Sequence, residues 1–145
     1  MEKLKFDSGM RSYRLGSGGV LQFNPGDPNV YARFLEAAEK IRTVETDLQQ
    51  QAQNLDVQDT GAAAVKLMEQ ADKKIKELLT WVFGSHNDFD AILQGVNLLA
   101  VTDSGERVIT NLFEALQPVL VEGARRCASQ TAQTAVAKAN ARRKC

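Results

Sequence analysis

Histidine and tryptophan occur once each in this chain of 145 residues, and cysteine and proline are scarce, at two and three. The lone histidine, His86, has no cysteine or second histidine at ligand spacing, so the sequence supplies no basis for a zinc site. Cys127 and Cys145 are too few and too late in the chain to form a disulfide framework, and both read as free thiols. Aromatic residues make up 6% of the chain, and the basic final stretch has none, which leaves no stacking platform for nucleic acid there. No apolar run reaches the roughly 18 residues of a membrane-spanning helix, and the opening Met-Glu-Lys-Leu-Lys-Phe lacks a signal's long apolar stretch. The expected compartment is therefore the cytoplasm. Net charge is absent as well: 18 basic and 18 acidic residues cancel, so no global field recruits nucleic acid or a membrane.

What is present suits one ordinary domain. A chain of this length buries roughly two-thirds of its unfolded surface, enough for a core without disulfide or metal. Two series of apolar residues carry the same spacing. Val30, Phe34, Ala37, Ile41, Val44 and Leu48 alternate steps of four and three, and Ala64, Met68, Ala71, Ile75, Leu78 and Val82 do the same. That alternation lays one apolar seam along a helix, so the pair reads as a helical hairpin over about 28–54 and 62–83, with the charges of the second helix opposite its seam. Asp27 followed by Pro28 is a strong start signal, an N-cap with proline at the first helical position. Asp56 to Gly61 forms the link, and Gly84 is placed to end the second helix.

Ahead of the hairpin, Leu4 with Phe6, Tyr13 with Leu15, and Val20, Leu21 and Phe23 predict two or three short strands over residues 1–24. Asp7-Ser8-Gly9 and Gly16-Ser17-Gly18-Gly19 supply the turns. After Gly84, Ser85 or Asn87 is expected to cap a short helix through Phe89, Ile92 and Leu93, closed by Gly95. The apolar connector Val96 to Val101 is compatible with either an extended or a helical form. Thr102, Asp103 or Ser104 is expected to cap a last long helix over 103–137, kinked near Pro118, with residues 138–145 a flexible basic tail. The expected fold is mainly α, an α+β arrangement in which a β-hairpin or three-strand flap packs on a helical hairpin and a long kinked C-terminal helix.

None of the candidate chemistry survives this reading. The glycine cluster is followed by Val-Leu-Gln-Phe rather than the Lys-Ser/Thr of a phosphate cradle, so it reads as a hairpin turn. Asp88 and Asp90 flank Phe89 at a helix start, where the helix dipole explains two acids without acid/base catalysis. His86 reads as a loop residue, and Trp81, Phe83 and Phe89 as a core plug. No catalytic, cofactor-binding or metal-binding residue is assigned and no cofactor is expected. Function is expected to reside in surfaces.

The stretch Gly19-Val20-Leu21-Gln22-Phe23-Asn24-Pro25-Gly26-Asp27-Pro28-Asn29-Val30-Tyr31-Ala32-Arg33-Phe34 resembles a segment of small tail-assembly proteins of long-tailed phages and prophages. In those proteins a strand ending in Phe-Asn-Pro leads through Asp-Pro and an aromatic into an acidic helix. Val82-Phe83-Gly84, followed by Ile92-Leu93-Gln94-Gly95-Val96-Asn97, is similar to their Phe-Gly, then Phe-Gly-x-Asn, pattern before a final helix. Here Leu93-Gln94-Gly95 replaces the usual aromatic-Gly, and the Ala/Arg-rich end from Gly123 has no counterpart. The resemblance implies a non-enzymatic tail assembly chaperone that coats the tape measure protein and helps recruit tail tube subunits.

On that view the seam near Val44 and Leu48 and the Val108-to-Leu120 face, with Leu112 and Leu116, are expected to be partly unfilled and to contact a partner helix or another copy. Arg142 and Arg143 of the basic tail suit an acidic partner. The alternative is a structural subunit of a phage particle or other homo-oligomeric assembly, with N-terminal strands pairing between subunits. Nucleic-acid binding by the tail is a weaker option still.

Overall fold

The structure, a computed structural model, describes residues 1–16, 18–55 and 60–143. Ser17 of the glycine turn, residues 56–59 of the predicted link, and Lys144 and Cys145 lie outside the described residues.

Two antiparallel strands, β1 (Arg11–Arg14) and β2 (Val20–Phe23), pair with Tyr13 opposite Leu21 and Arg11 opposite Phe23. β2 alternates exposed and buried positions, and Leu21 and Phe23 are buried against the helices. Aromatic contacts carry the sheet into the core: the Phe23 ring stacks on Tyr13 at 5.1 Å and meets the edge of Phe83 at 4.8 Å. The predicted third strand is not formed. Residues 1–10 adopt no regular structure, and Leu4 and Phe6 stand in solvent. With no strand before it, Asp7-Ser8-Gly9 joins nothing as a hairpin turn, although the Gly9 N–H does bond to Asp7 Oδ1 at 2.8 Å.

Helix α1 (Pro28–Gln53) begins where Asp27 accepts the Asn29 N–H on its side chain, and α2 (Thr60–Phe83) follows. Their seams pack face to face. The start of α1 meets the end of α2, where Arg33 Nε donates to the carbonyl of Val82 at 3.1 Å, so the two helices run antiparallel. Ile41, Ala71, Ile75 and Val82 are buried as the spacing predicts, but Leu79 lies deeper than Leu78. The reason is that α2 is covered on a second side by the short helix α3 (Phe89–Ile92).

The cap of α3 is Asp88, which accepts the N–H groups of Asp90 and Ala91, rather than Ser85 or Asn87. Residues 96–101 are neither strand nor helix but a turn that buries Leu98 and Leu99. This turn also explains why the last helix, α4 (Val108–Arg143), starts later than expected. The N–H groups of Val108 and Ile109 bond to the carbonyls of Ala100 and Leu98, both at 2.9 Å, so backbone does the capping assigned to Thr102, Asp103 or Ser104. Those three residues sit in a loop closed by the Val101–Arg107 bridge. Pro118 lies inside α4, and the helix continues past it as far as Arg143, through most of the stretch expected to be a flexible tail.

Two glycines set close approaches. A β-carbon on Gly19 would overlap the backbone of Ile92, and one on Gly123 would overlap the Pro25 carbonyl, so glycine lets the hairpin sit on α3 and α4 on the chain entering α1.

Candidate functional site

Three features are built around the junction of the β-hairpin with α2 and α3. At its centre is Asn87, buried in the loop between those helices. Its Oδ1 accepts the Gln22 N–H at 2.9 Å, and its Nδ2 donates to the carbonyls of Gln22 at 2.8 Å and Phe83 at 3.0 Å. One amide side chain thus does the work of a neighbouring strand, satisfying both backbone groups of Gln22 on the outer edge of β2. His86 reaches the same carbonyl through Nε2 at 2.8 Å, so the histidine read as a loop residue also braces this edge.

Below it, Lys76 is buried between two carboxylates, with Nζ 2.8 Å from Asp72 Oδ2 and 2.7 Å from Asp90 Oδ1. Asp72 turns its other oxygen to the Leu98 N–H at 2.7 Å. Burial pulls the Lys76 ammonium downward, but its hydrogen bonds and charge attraction to Asp72 and Asp90 outweigh that, and the net displacement is upward. The hydrogen bond from Lys76, with its charge, holds Asp90 below its ordinary value. Asp72, Lys76, Thr80, Phe89, Asp90 and Asn97 line a cleft of about 640 Å³. Within it the Lys76 ammonium is matched by the Asp72 and Asp90 carboxylates, and the arrangement acts as a clasp joining α2, α3 and the 96–101 turn. Asp72 and Lys76 correct the expectation that the charges of α2 face away from its seam. They sit one residue past Ala71 and Ile75, close enough to the apolar face to be buried with it once α3 covers that side. A four-residue Asp–Lys spacing beside a seam is the signal in the sequence that points to this pairing.

The third feature is apolar. Leu15, Ile92, Leu93, Val96, Val108 and Leu112 line a groove of about 430 Å³ between the hairpin turn, α3 and the start of α4.

The residues expected to face a partner divide. Leu112 and Leu116 are 8% and 4% exposed and belong to the core of this chain. Leu48, at 9%, is also covered, and Val44 is half-buried against the same core. Both border a small cavity of about 60 Å³ with Asp47, Gln51, Leu67 and Ala71. Leu48 also borders a groove of about 260 Å³ with Ala52, Ala64 and Met68. The seam is thus largely filled by α1 and α2 themselves. Arg142 is exposed near the end of α4. Trp81, expected in the core with Phe83 and Phe89, is instead 44% exposed, with the Lys40 ammonium 5.0 Å from its ring centre. It falls on the side of α2 away from α3, whereas Phe83 and Phe89 meet each other at 5.7 Å.

No protein family model, no curated protein and no solved structure matches the chain.

Exposed apolar side chains are scattered over the described residues, and Leu35, Val65, Trp81, Val121 and Val136 are those on the three long helices. Residues 128–142 of α4 are exposed on every face, so the helix leaves the body as an arm. From Arg125 onward the arm is basic and contains no acidic residue. No helix among the described residues is long and apolar enough to cross a membrane.

Proposed function

We propose that this protein is a tail assembly chaperone of a long-tailed phage or prophage, a non-enzymatic escort acting in the host cytoplasm that binds the tape measure protein and helps recruit tail tube subunits. The assignment to that family rests on the Gly19-to-Phe34 resemblance, and what supports an escort role is the arm formed by residues 128–142 of α4, a segment with no counterpart in the small tail-assembly proteins. A helix of that length has little stability alone in water, so an arm whose residues are all exposed is suited to being completed by another helix. A tape measure protein is a long helix with apolar stripes, and the exposed Val121 and Val136 with the basic side chains of the arm fit a stripe flanked by acids.

The test is co-expression with a tape measure protein and a tail tube subunit, followed by pull-down. Recovery of both partners supports the proposal, and recovery of neither defeats it. A structural subunit of a homo-oligomeric assembly is the second reading, and the unpaired edge of β1 favours it.

A further inference from the structure

We infer that residues 1–7 are an exchange strand that adds to β1 of a second copy of this chain. The two edges of the hairpin are treated differently. In an antiparallel pair the backbone groups of alternate residues face outward. Gln22 turns its N–H and C=O to Asn87, so Ser12, its register partner, turns its own N–H and C=O the opposite way, as does Arg14. The β2 edge is therefore sealed at Gln22 by a buried amide, whereas no group among the described residues meets the backbone of Ser12 and Arg14 on the β1 edge. An edge left open in this way accepts another strand.

The strand that fits it is in the same sequence. Leu4 and Phe6 alternate with Lys3, Lys5 and Asp7, the pattern of a half-buried strand, yet they are 87% and 82% exposed. Paired on β1 in a register that sets Leu4 or Phe6 opposite Tyr13, both apolar side chains join the face of Tyr13, Leu21 and Phe23 that rests on the helices.

The chain's own β1 is the wrong acceptor. Asn24, one residue beyond β2, donates from Nδ2 to the Ser8 carbonyl at 3.0 Å, holding the segment toward the β2 side of the hairpin. Returning to its own β1 would break that clasp, whereas a second copy can be reached with it intact. Exchange in both directions closes a two-fold dimer using the same patch twice. Leu4 and Phe6 from both copies, with two added strands, bury on the order of 1,200 Å², the lower end of specific interfaces, so the dimer should be reversible. Both an escort and a structural subunit accommodate it.

The experiment is sedimentation velocity on the full chain across a wide concentration range, with hydrogen exchange on the same samples. Dimer at high concentration, with the Ser12 and Arg14 amides protected only there, is the expected result. The double variant Leu4→Asp/Phe6→Asp, altered only at exposed positions, should keep its melting temperature and lose both the dimer and that protection. A full chain that stays monomeric throughout overturns the inference, as does a dimer that survives the double variant. Protection of Ser12 and Arg14 in the monomer also overturns it, because the strand would then come from the same chain.

Discussion

The carbonyl of Pro25 lies against Gly123 of α4 so closely that a β-carbon at position 123 would overlap it. Both groups are backbone, one entering α1 and the other inside a helix, so neither can swing aside. Gly123→Ala should therefore destabilise the fold by about 2–4 kcal/mol despite alanine's better helix propensity. Gly61 of α2 has open space where its β-carbon would be, and Gly61→Ala should be neutral or stabilise by up to about 1 kcal/mol. Urea denaturation of the two variants against the parent measures the contrast, and equal effects would contradict the close approach.

Asn87 anchors the sheet through three hydrogen bonds made by one side chain. Asn87→Ala leaves the N–H and C=O of Gln22 without this partner and should cost about 2–4 kcal/mol. Asn87→Asp keeps the shape but turns a donor into an acceptor facing the carbonyls of Gln22 and Phe83, so it should be no better tolerated. Faster amide exchange at Gln22, relative to the α1 and α2 amides, distinguishes loss of this anchor from general loosening.

The clasp around Lys76 predicts both a mutational and a pH response. Lys76→Met removes the buried cation and strands the Asp72 carboxylate, with an expected loss of about 3–5 kcal/mol. Adding Asp72→Asn removes the stranded charge and should recover part of that loss, measured as a double-mutant cycle. Asp90 is held below its ordinary value of 3.8 when folded, so its contribution is present above that pH and fades as pH falls through the lower folded value. Lys76 is displaced above 10.5, so its contribution is intact below that pH and fades as pH rises through the higher folded value. Stability measured from pH 2 to 5 should therefore fall less steeply in Asp90→Asn than in the parent.

Local patterns read well wherever the deciding contact was local. Asp27 with Pro28 marked the start of α1, and the alternation of Leu21 and Phe23 marked the inward face of β2, because a cap and a pleat depend on neighbours in the chain. The start of α4 was misplaced because its first N–H groups are satisfied by carbonyls of Leu98 and Ala100, a partnership no side-chain cap signals. The sequence marks Asn87 only as a possible helix cap, because its actual partner is 65 positions away, and it leaves Lys76 unmarked because its burial requires α3 to fold over it. Leu4 and Phe6 carry a strand pattern that the isolated chain leaves unused. The Asp72–Lys76 spacing alone does not announce the junction clasp, and Leu112 and Leu116 lie in the core rather than on a docking face, because periodicity marks an apolar face without saying what covers it.

The arm of α4 gives the last prediction. Residues 128–142 are exposed throughout, so ending the chain after Cys127 removes no core contact from this domain. The expected change in unfolding free energy is less than about 0.5 kcal/mol, while far-UV circular dichroism should lose the helical signal of the removed turns. If the arm is the partner-binding element, the shortened chain stays folded and fails to retain the tape measure protein in pull-down. Lys138→Glu/Arg142→Glu in the full chain should weaken retention most at low salt, where attraction to an acidic stripe is least screened. A shortened chain that unfolds early would place the arm in the fold, and one that binds as well as the parent would place the partner surface elsewhere.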